Sequence, residues 1–144
     1  MRLGIASTFP PYRGGIAQFN AAMARSLRDH GHEVHCMTWR RQYPSLLFPG
    51  TSQWEPGASI RDVDMPAPLD SLNPLSWKET GRQLAAHSDV AILPFWHAAL
   101  APALTGVARE AKRQGIGRVL ALMHNASSHD GRGWDLRLTE RFLR

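Results

Sequence analysis

Three short clusters in this chain combine residue types that can bind or activate a ligand. The first is Phe9-Pro10-Pro11-Tyr12-Arg13-Gly14-Gly15, whose glycines stand directly before a helical pattern. Backbone N–H groups at a helix start are open donors, and the helix dipole favours negative charge there. Glycine lets a phosphate or carboxylate come close to such a backbone. The second cluster is Pro94-Phe95-Trp96-His97, where Trp can stack on a sugar face and His can hydrogen-bond hydroxyls. The third is His124-Asn125-Ala126-Ser127-Ser128-His129-Asp130. A histidine at a strand end, as His124 would be, can orient a substrate, donate to an anion or exchange a proton near neutral pH. Each cluster has a plainer reading as well: a tight turn without a ligand, loop packing, and a satisfied structural histidine.

Other chemistries fit less well. The spacing of His124, His129 and Asp130 matches no common metal site. No serine sits in a nucleophile elbow. No GxxxxGK[ST] motif occurs, and the glycines do not form GxGxxG. Thr38-Trp39-Arg40 stands where a dinucleotide-binding fold would carry a ribose-binding acid, which disfavours that fold's usual enzymes. Cys36 reads as an inert thiol in mid-strand, and His30, His32 and His35 as turn or solvent-facing residues.

The elements that must position these clusters follow from periodicity. Arg2 to Thr8 is a short apolar run, as in a buried parallel strand. Ile16, Phe19, Met23 and Leu27 recur at helical spacing up to His30, and Gly31 ends that helix. Glu33 to Trp39 reads as a second strand, so the first 39 residues form a βαβ unit with a right-handed crossover. Arg40 to Pro74 is rich in proline and reads as loop, with one strand expected near Ser59 to Val63. Alternation then resumes: helix Leu75–His87, strand Asp89–Leu93, helix Ala99–Gln114, strand Gly117–Met123 and helix Trp134–Arg144. The expected fold is α/β, a Rossmann-like, mainly parallel sheet with helices on both faces. In such sheets ligands bind beyond the carboxyl ends of the strands, where all three clusters fall.

Composition narrows the class. The chain has 144 residues, a formal charge of +5, 43% hydrophobic content and a single cysteine. One domain of this length buries about two thirds of its unfolded surface, so disorder is not expected. A disulfide scaffold is excluded. No run approaches the ~20 apolar residues of a membrane span, and Leu3 to Phe9 is too short for a signal peptide. A cytoplasmic location is therefore expected. Fifteen of the 17 cations are arginine, spread without clustering, unlike most nucleic-acid binders. The chain stops at Arg144 in an amphipathic helix with no closing cap or glycine. A natural C-terminus can look like this, and so can an α/β chain cut at a domain connection, which is the expectation.

The stretch Phe9 to Asn20, followed by Ala24-Arg25-Ser26-Leu27 and Gly31-His32-Glu33-Val34, resembles the start of glycosyltransferase family 4. There a PP-x-x-GG loop opens the first helix and L-x-x-x-GHEV leads into the second strand. Arg41-Gln42-Tyr43-Pro44 to Gly50, Asp70 to Pro74, Trp96-His97, His124-Asn125, His129 and Asp135 look like one bacterial branch of that family.

The resemblance implies the N-terminal, acceptor-side domain of a GT-B enzyme, with residues 1–144 as one Rossmann-like domain. It implies a retaining, metal-independent transferase without a cofactor, whose substrate is a nucleotide-sugar and whose acceptor is a glycan or glycolipid. Gly14 and Gly15 would line the donor phosphates, and His124 would contact the donor sugar as the catalytic residue. Trp96, His97, Asn125 and His129 would lie on the acceptor side. The family's paired glutamates and nucleotide pocket belong to a C-terminal domain that these residues do not include. A role in polysaccharide biosynthesis follows from the family alone. So does a peripheral contact at the inner face of the membrane, through basic residues near the first helix or the long loop. The rivals are a stand-alone, non-catalytic binding module derived from that domain and an unrelated α/β nucleotide-binding enzyme.

Overall fold

The computed structural model describes residues 1–43, 52–124 and 133–143. Strand β1 (Arg2–Ala6) leads through the glycine loop into helix α1 (Gly15–Asp29) and strand β2 (Glu33–Met37). Strands β3 (Trp39–Arg41) and β4 (Leu69–Asp70) flank the long loop, and α2 (Pro74–His87) follows. Then come β5 (Val90–Phe95), α3 (Ala101–Arg113), β6 (Arg118–Met123) and α4 (Gly133–Leu143). The main sheet has the order β2-β1-β5-β6, and every pairing in it is parallel. The expected α/β architecture, with a parallel sheet flanked by helices, is the one observed.

Alternation within the strands builds two cores. Leu3 and Ile5 of β1, with Val34 of β2, pack against Ala24 of α1. Ala6, with Ala91, Leu93 and Phe95 of β5, turns to the other face, where Leu84 of α2 and Leu104 and Val107 of α3 cover the sheet. Helix α4 joins this second layer through Phe142, stacked on Phe95 with ring centroids 4.8 Å apart. Strand β6 is outermost, and Leu120 on the α1 side stays half exposed. Helices α2 and α3 approach closely at Gly81 and Gly106. A Cβ on Gly81 would lie 2.7 Å from Glu110 Cβ and 2.8 Å from the Val107 carbonyl, and one on Gly106 would meet the Trp77 ring.

Two expectations are corrected. The segment Ser59–Val63 is not a strand; Ile60–Asp62 is a turn of 3-10 helix. Ser59 and Asp62 form a capping box, with the Ser59 N–H donating to Asp62 Oδ2 at 2.7 Å, so local side chains satisfy the backbone before any strand partner can. The run Glu33–Trp39 is not one strand either. It leaves the main sheet after Met37, the Thr38 N–H turns to the Pro66 carbonyl at 2.9 Å, and Trp39–Arg41 pairs with β4 in a separate two-stranded sheet. Among the described residues no helix is long and apolar enough to cross a membrane.

Candidate functional site

The site is assembled at the carboxyl ends of β1, β5 and β6. Beyond β1, Asn20 of α1 is fully buried and donates from Nδ2 to Ser7 Oγ at 2.8 Å and to the Thr8 carbonyl at 2.9 Å. This clamp fixes where α1 starts relative to the strand, and so where Gly14 and Gly15 stand. The loop between them is held from outside. Tyr12 stacks on Trp54 at 4.0 Å, its hydroxyl donates to the Trp39 carbonyl at 2.8 Å, and the Arg13 N–H donates to the Gln53 carbonyl. Burial pushes the Tyr12 phenol well above its ordinary value.

Gly14 has φ 114° and ψ 165°, a region open essentially only to glycine, and a Cβ there would meet nothing within 4 Å. Gly15 begins α1 without a positive φ and is equally uncrowded. The two glycines therefore separate experimentally. Gly14→Ala is expected to cost about 1–3 kcal/mol through backbone strain. Gly15→Ala is expected to leave stability unchanged or raise it by about 0.5–1 kcal/mol, because alanine is the better helix former. Urea unfolding of both variants checks this. Any loss of anion binding in Gly15→Ala then reports on the ligand rather than on the fold.

Beyond β5 and β6, parallel register sets Phe95 against Met123, so Trp96 and His124 leave the sheet side by side. The His124 N–H donates to the Phe95 carbonyl at 2.8 Å, extending that ladder by one residue. The His124 ring meets Phe19 of α1 edge-on, with centroids 5.0 Å apart. Since Phe19 lies about one helical turn past Gly15, His124 sits close to the start of α1. Its Nε2 is buried and has no hydrogen-bond partner among the described residues.

Burial holds the His124 imidazole below its ordinary value of 6.5. The unfolded chain then binds this proton first, so stability rises with pH in the interval below about 6.5. The contribution is complete only well above the ordinary value and is lost as pH falls through the folded-state value. Unfolding midpoints between about pH 5 and pH 7.5 are expected to fall less steeply on acidification in His124→Gln.

Trp96 is half-buried, and its Nε1 donates to the Tyr43 hydroxyl at 3.0 Å. His97 is exposed and caps the 3-10 turn Ala98–Leu100, its Nδ1 accepting from the Ala99 N–H at 3.1 Å. The Tyr43 ring meets His97 edge-on at 5.8 Å. Of the expected site residues, Gly14, Gly15, Trp96, His97 and His124 thus gather at neighbouring strand ends. Asn125 and His129 lie outside the described residues. Sequence reasoning assigned no role to Asn20, Phe19 or Tyr43. Asn20 had a usable signal, an amide in the second turn of an otherwise apolar helix face; Tyr43 had none, because its partner is far along the chain.

Cys36 of β2 is half-buried, and Arg28 Nη2 lies 3.5 Å from its sulfur. Burial outweighs that arginine and raises the thiol, as an inert cysteine requires. His35 contacts Glu33 and the His87 ring and is half-buried, not simply solvent-facing. Among the described residues no group of three His, Cys, Asp or Glu side chains could hold a metal ion.

No family model matches the chain. No curated protein matches it either. Among solved structures, it is similar to an alpha-glucosyltransferase in complex with UDP and a 13-mer DNA containing a central A:G mismatch, with a TM-score of 0.58 and 18% identity. The match covers 99% of this chain and 35% of that one, so the chain spans about a third of the neighbour's length. That likeness concerns the fold: an α/β, Rossmann-like domain with a mainly parallel sheet, of the GT-B kind.

Proposed function

We propose that the chain is the acceptor-side domain of a retaining glycosyltransferase that moves a sugar from a nucleotide-sugar to a glycan or lipid-linked acceptor. One observation carries the reading: the ends of β1, β5 and β6 bring a glycine-opened helix start, a histidine whose buried nitrogen has no partner among the described residues, and aromatic side chains to one edge of a GT-B-like fold. The family 4 resemblance of Pro10 to Val34 agrees with it.

In this reading the N–H groups at Gly14 and Gly15 face the donor diphosphate, whose charge grows as the sugar C1–O bond breaks. His124, whose imidazole burial holds below its ordinary value, donates to or accepts from a hydroxyl of the transferred sugar. The oxocarbenium-like centre is attacked by the acceptor hydroxyl on the face the nucleotide leaves, and the acceptor's proton passes to the departing phosphate. Trp96 and His97 hold that acceptor. A second domain supplies the nucleotide pocket. The chain alone is therefore expected to bind donors weakly and to transfer no sugar. Salt-sensitive binding to anionic vesicles is the expectation for a peripheral membrane contact.

The test is an NMR titration of the labelled chain with UDP, UDP-glucose and other nucleotide-sugars. Shifts of the Gly14 and Gly15 amides are expected with each nucleotide, and shifts of the His124 ring only when a sugar is attached. Absence of all these shifts at tens of millimolar, or stronger shifts with a nicotinamide or flavin, overturns the proposal. Sugar transfer by the chain alone would overturn its half-enzyme character.

A further inference from the structure

We propose that helices α2, α3 and α4 carry a second binding site, for a small organic phosphate with an apolar body, gripped by Arg109 and Arg141. None of its residues belongs to the site at the strand ends, and it does not depend on the transferase reading.

Two adjoining hollows run along α3. The larger, about 410 Å³, is lined by Trp77 of α2, by Pro102, Gly106 and Arg109 of α3, and by Leu138 and Arg141 of α4. The smaller, about 230 Å³, shares Trp77, Gly106 and Arg109 and reaches Lys78 and Arg113. The larger is of the size that takes a small molecule. Trp77 fixes its shape. The indole N–H donates to the Asp70 carbonyl at 2.7 Å, and a Cβ on Gly106 would come within 2.7 Å of the ring. Trp77 can hold this place only because position 106 has no side chain.

Charge decides what the hollow takes. Arg109 and Arg141 are far apart in sequence, yet they line one hollow, and neither makes a hydrogen bond or ion pair among the described residues. No carboxylate lines that hollow among the described residues, and Glu140, beside Arg141 in sequence, is exposed outside it. The acid of the smaller hollow, Glu110, is already engaged by Arg113 at 3.0 Å, Gln114 at 2.8 Å and Arg82 at 3.5 Å. Convergent cations repel one another, and a bound anion replaces that repulsion with attraction. A phosphate has oxygens enough for two guanidinium groups, while an apolar body covers Pro102, Leu138 and the accessible part of Trp77. Such a ligand bridges α3 and α4. Inorganic phosphate would leave the apolar wall wet, and a neutral apolar molecule would leave both arginines unpaired.

The test is an NMR titration of the labelled chain with phenyl phosphate, inorganic phosphate and phenol at equal ionic strength. Phenyl phosphate is expected to shift the Gly106 amide and the Trp77 indole, and to bind about tenfold more tightly than either of the others. Arg109→Gln and Arg141→Gln, both at exposed positions, are each expected to weaken it about threefold and to leave the urea midpoint unchanged. The proposal is overturned if Gly106 and Trp77 do not respond at tens of millimolar, if inorganic phosphate or phenol binds as tightly as phenyl phosphate, or if both variants bind as the parent does. Shifts confined to Gly14 and Gly15 would overturn it as well, by placing the anion at the start of α1, and would leave the transferase reading standing.

Discussion

Gly81→Val is expected to destabilise the protein by about 3 kcal/mol, a large part of the ~5–15 kcal/mol available to a small domain. The new Cβ alone would sit 2.7 Å from Glu110 Cβ, 2.8 Å from the Val107 carbonyl oxygen and 3.0 Å from the Ala111 nitrogen. Two of those three atoms are backbone of α3, so no rotamer change relieves the contact. The helices must separate, and Leu84, Leu104 and Val107, all fully buried, lose packing together. The effect would reach the site as well. Helix α3 continues directly from the 3-10 turn that His97 caps, so moving α3 loosens the Ala99–His97 bond. Urea unfolding provides the measurement, and a midpoint within about 0.5 kcal/mol of the parent would mean that the two helices have room to spare.

Asn20→Leu is expected to cost about 3 kcal/mol and to impair the glycine loop at the same time. Leucine is close in size, so the loss is one of hydrogen bonding. The Thr8 carbonyl and Ser7 hydroxyl lose their donor inside a dry environment, at about 1–3 kcal/mol for each group left unpaired. Both lie where β1 gives way to the loop, so the start of α1 is freed to shift against the strand. Nucleotide-induced shifts at Gly14 and Gly15 should then shrink in Asn20→Leu even at temperatures where the variant is folded. Asn20→Asp keeps acceptors but loses the donors, and is expected to fall with Asn20→Leu rather than with the parent. If Asn20→Asp behaved as the parent, the clamp would not depend on the amide.

Much of this was legible in the residues. The strand–glycine–helix–glycine–strand order of the first 37 residues follows from apolar spacing and from Gly31, whose φ of 81° is the left-handed value expected after a helix. The later helices and strands fall within a few residues of their expected ends, because their apolar runs and helical spacings are bounded by glycine, proline and polar residues. Errors concentrated in the proline-rich stretch. There the capping box of Ser59 and Asp62 gave a turn, and Trp39 left one sheet for another, although nothing in Glu33–Trp39 marks Thr38 as the break.

The sequence by itself determined the α/β class and the placing of the glycine loop, Trp96-His97 and His124 beyond strand ends, because these depend on local conformation and on a periodicity of two or 3.6 residues. Only the tertiary structure decided that Trp96 and His124 stand side by side, that Phe19 shields His124, that Tyr43 holds the Trp96 indole and that Asn20 pins the loop. Those relations join residues far apart in the chain. Their geometry is set by strand register and by the packing of α1, which no short window of sequence contains.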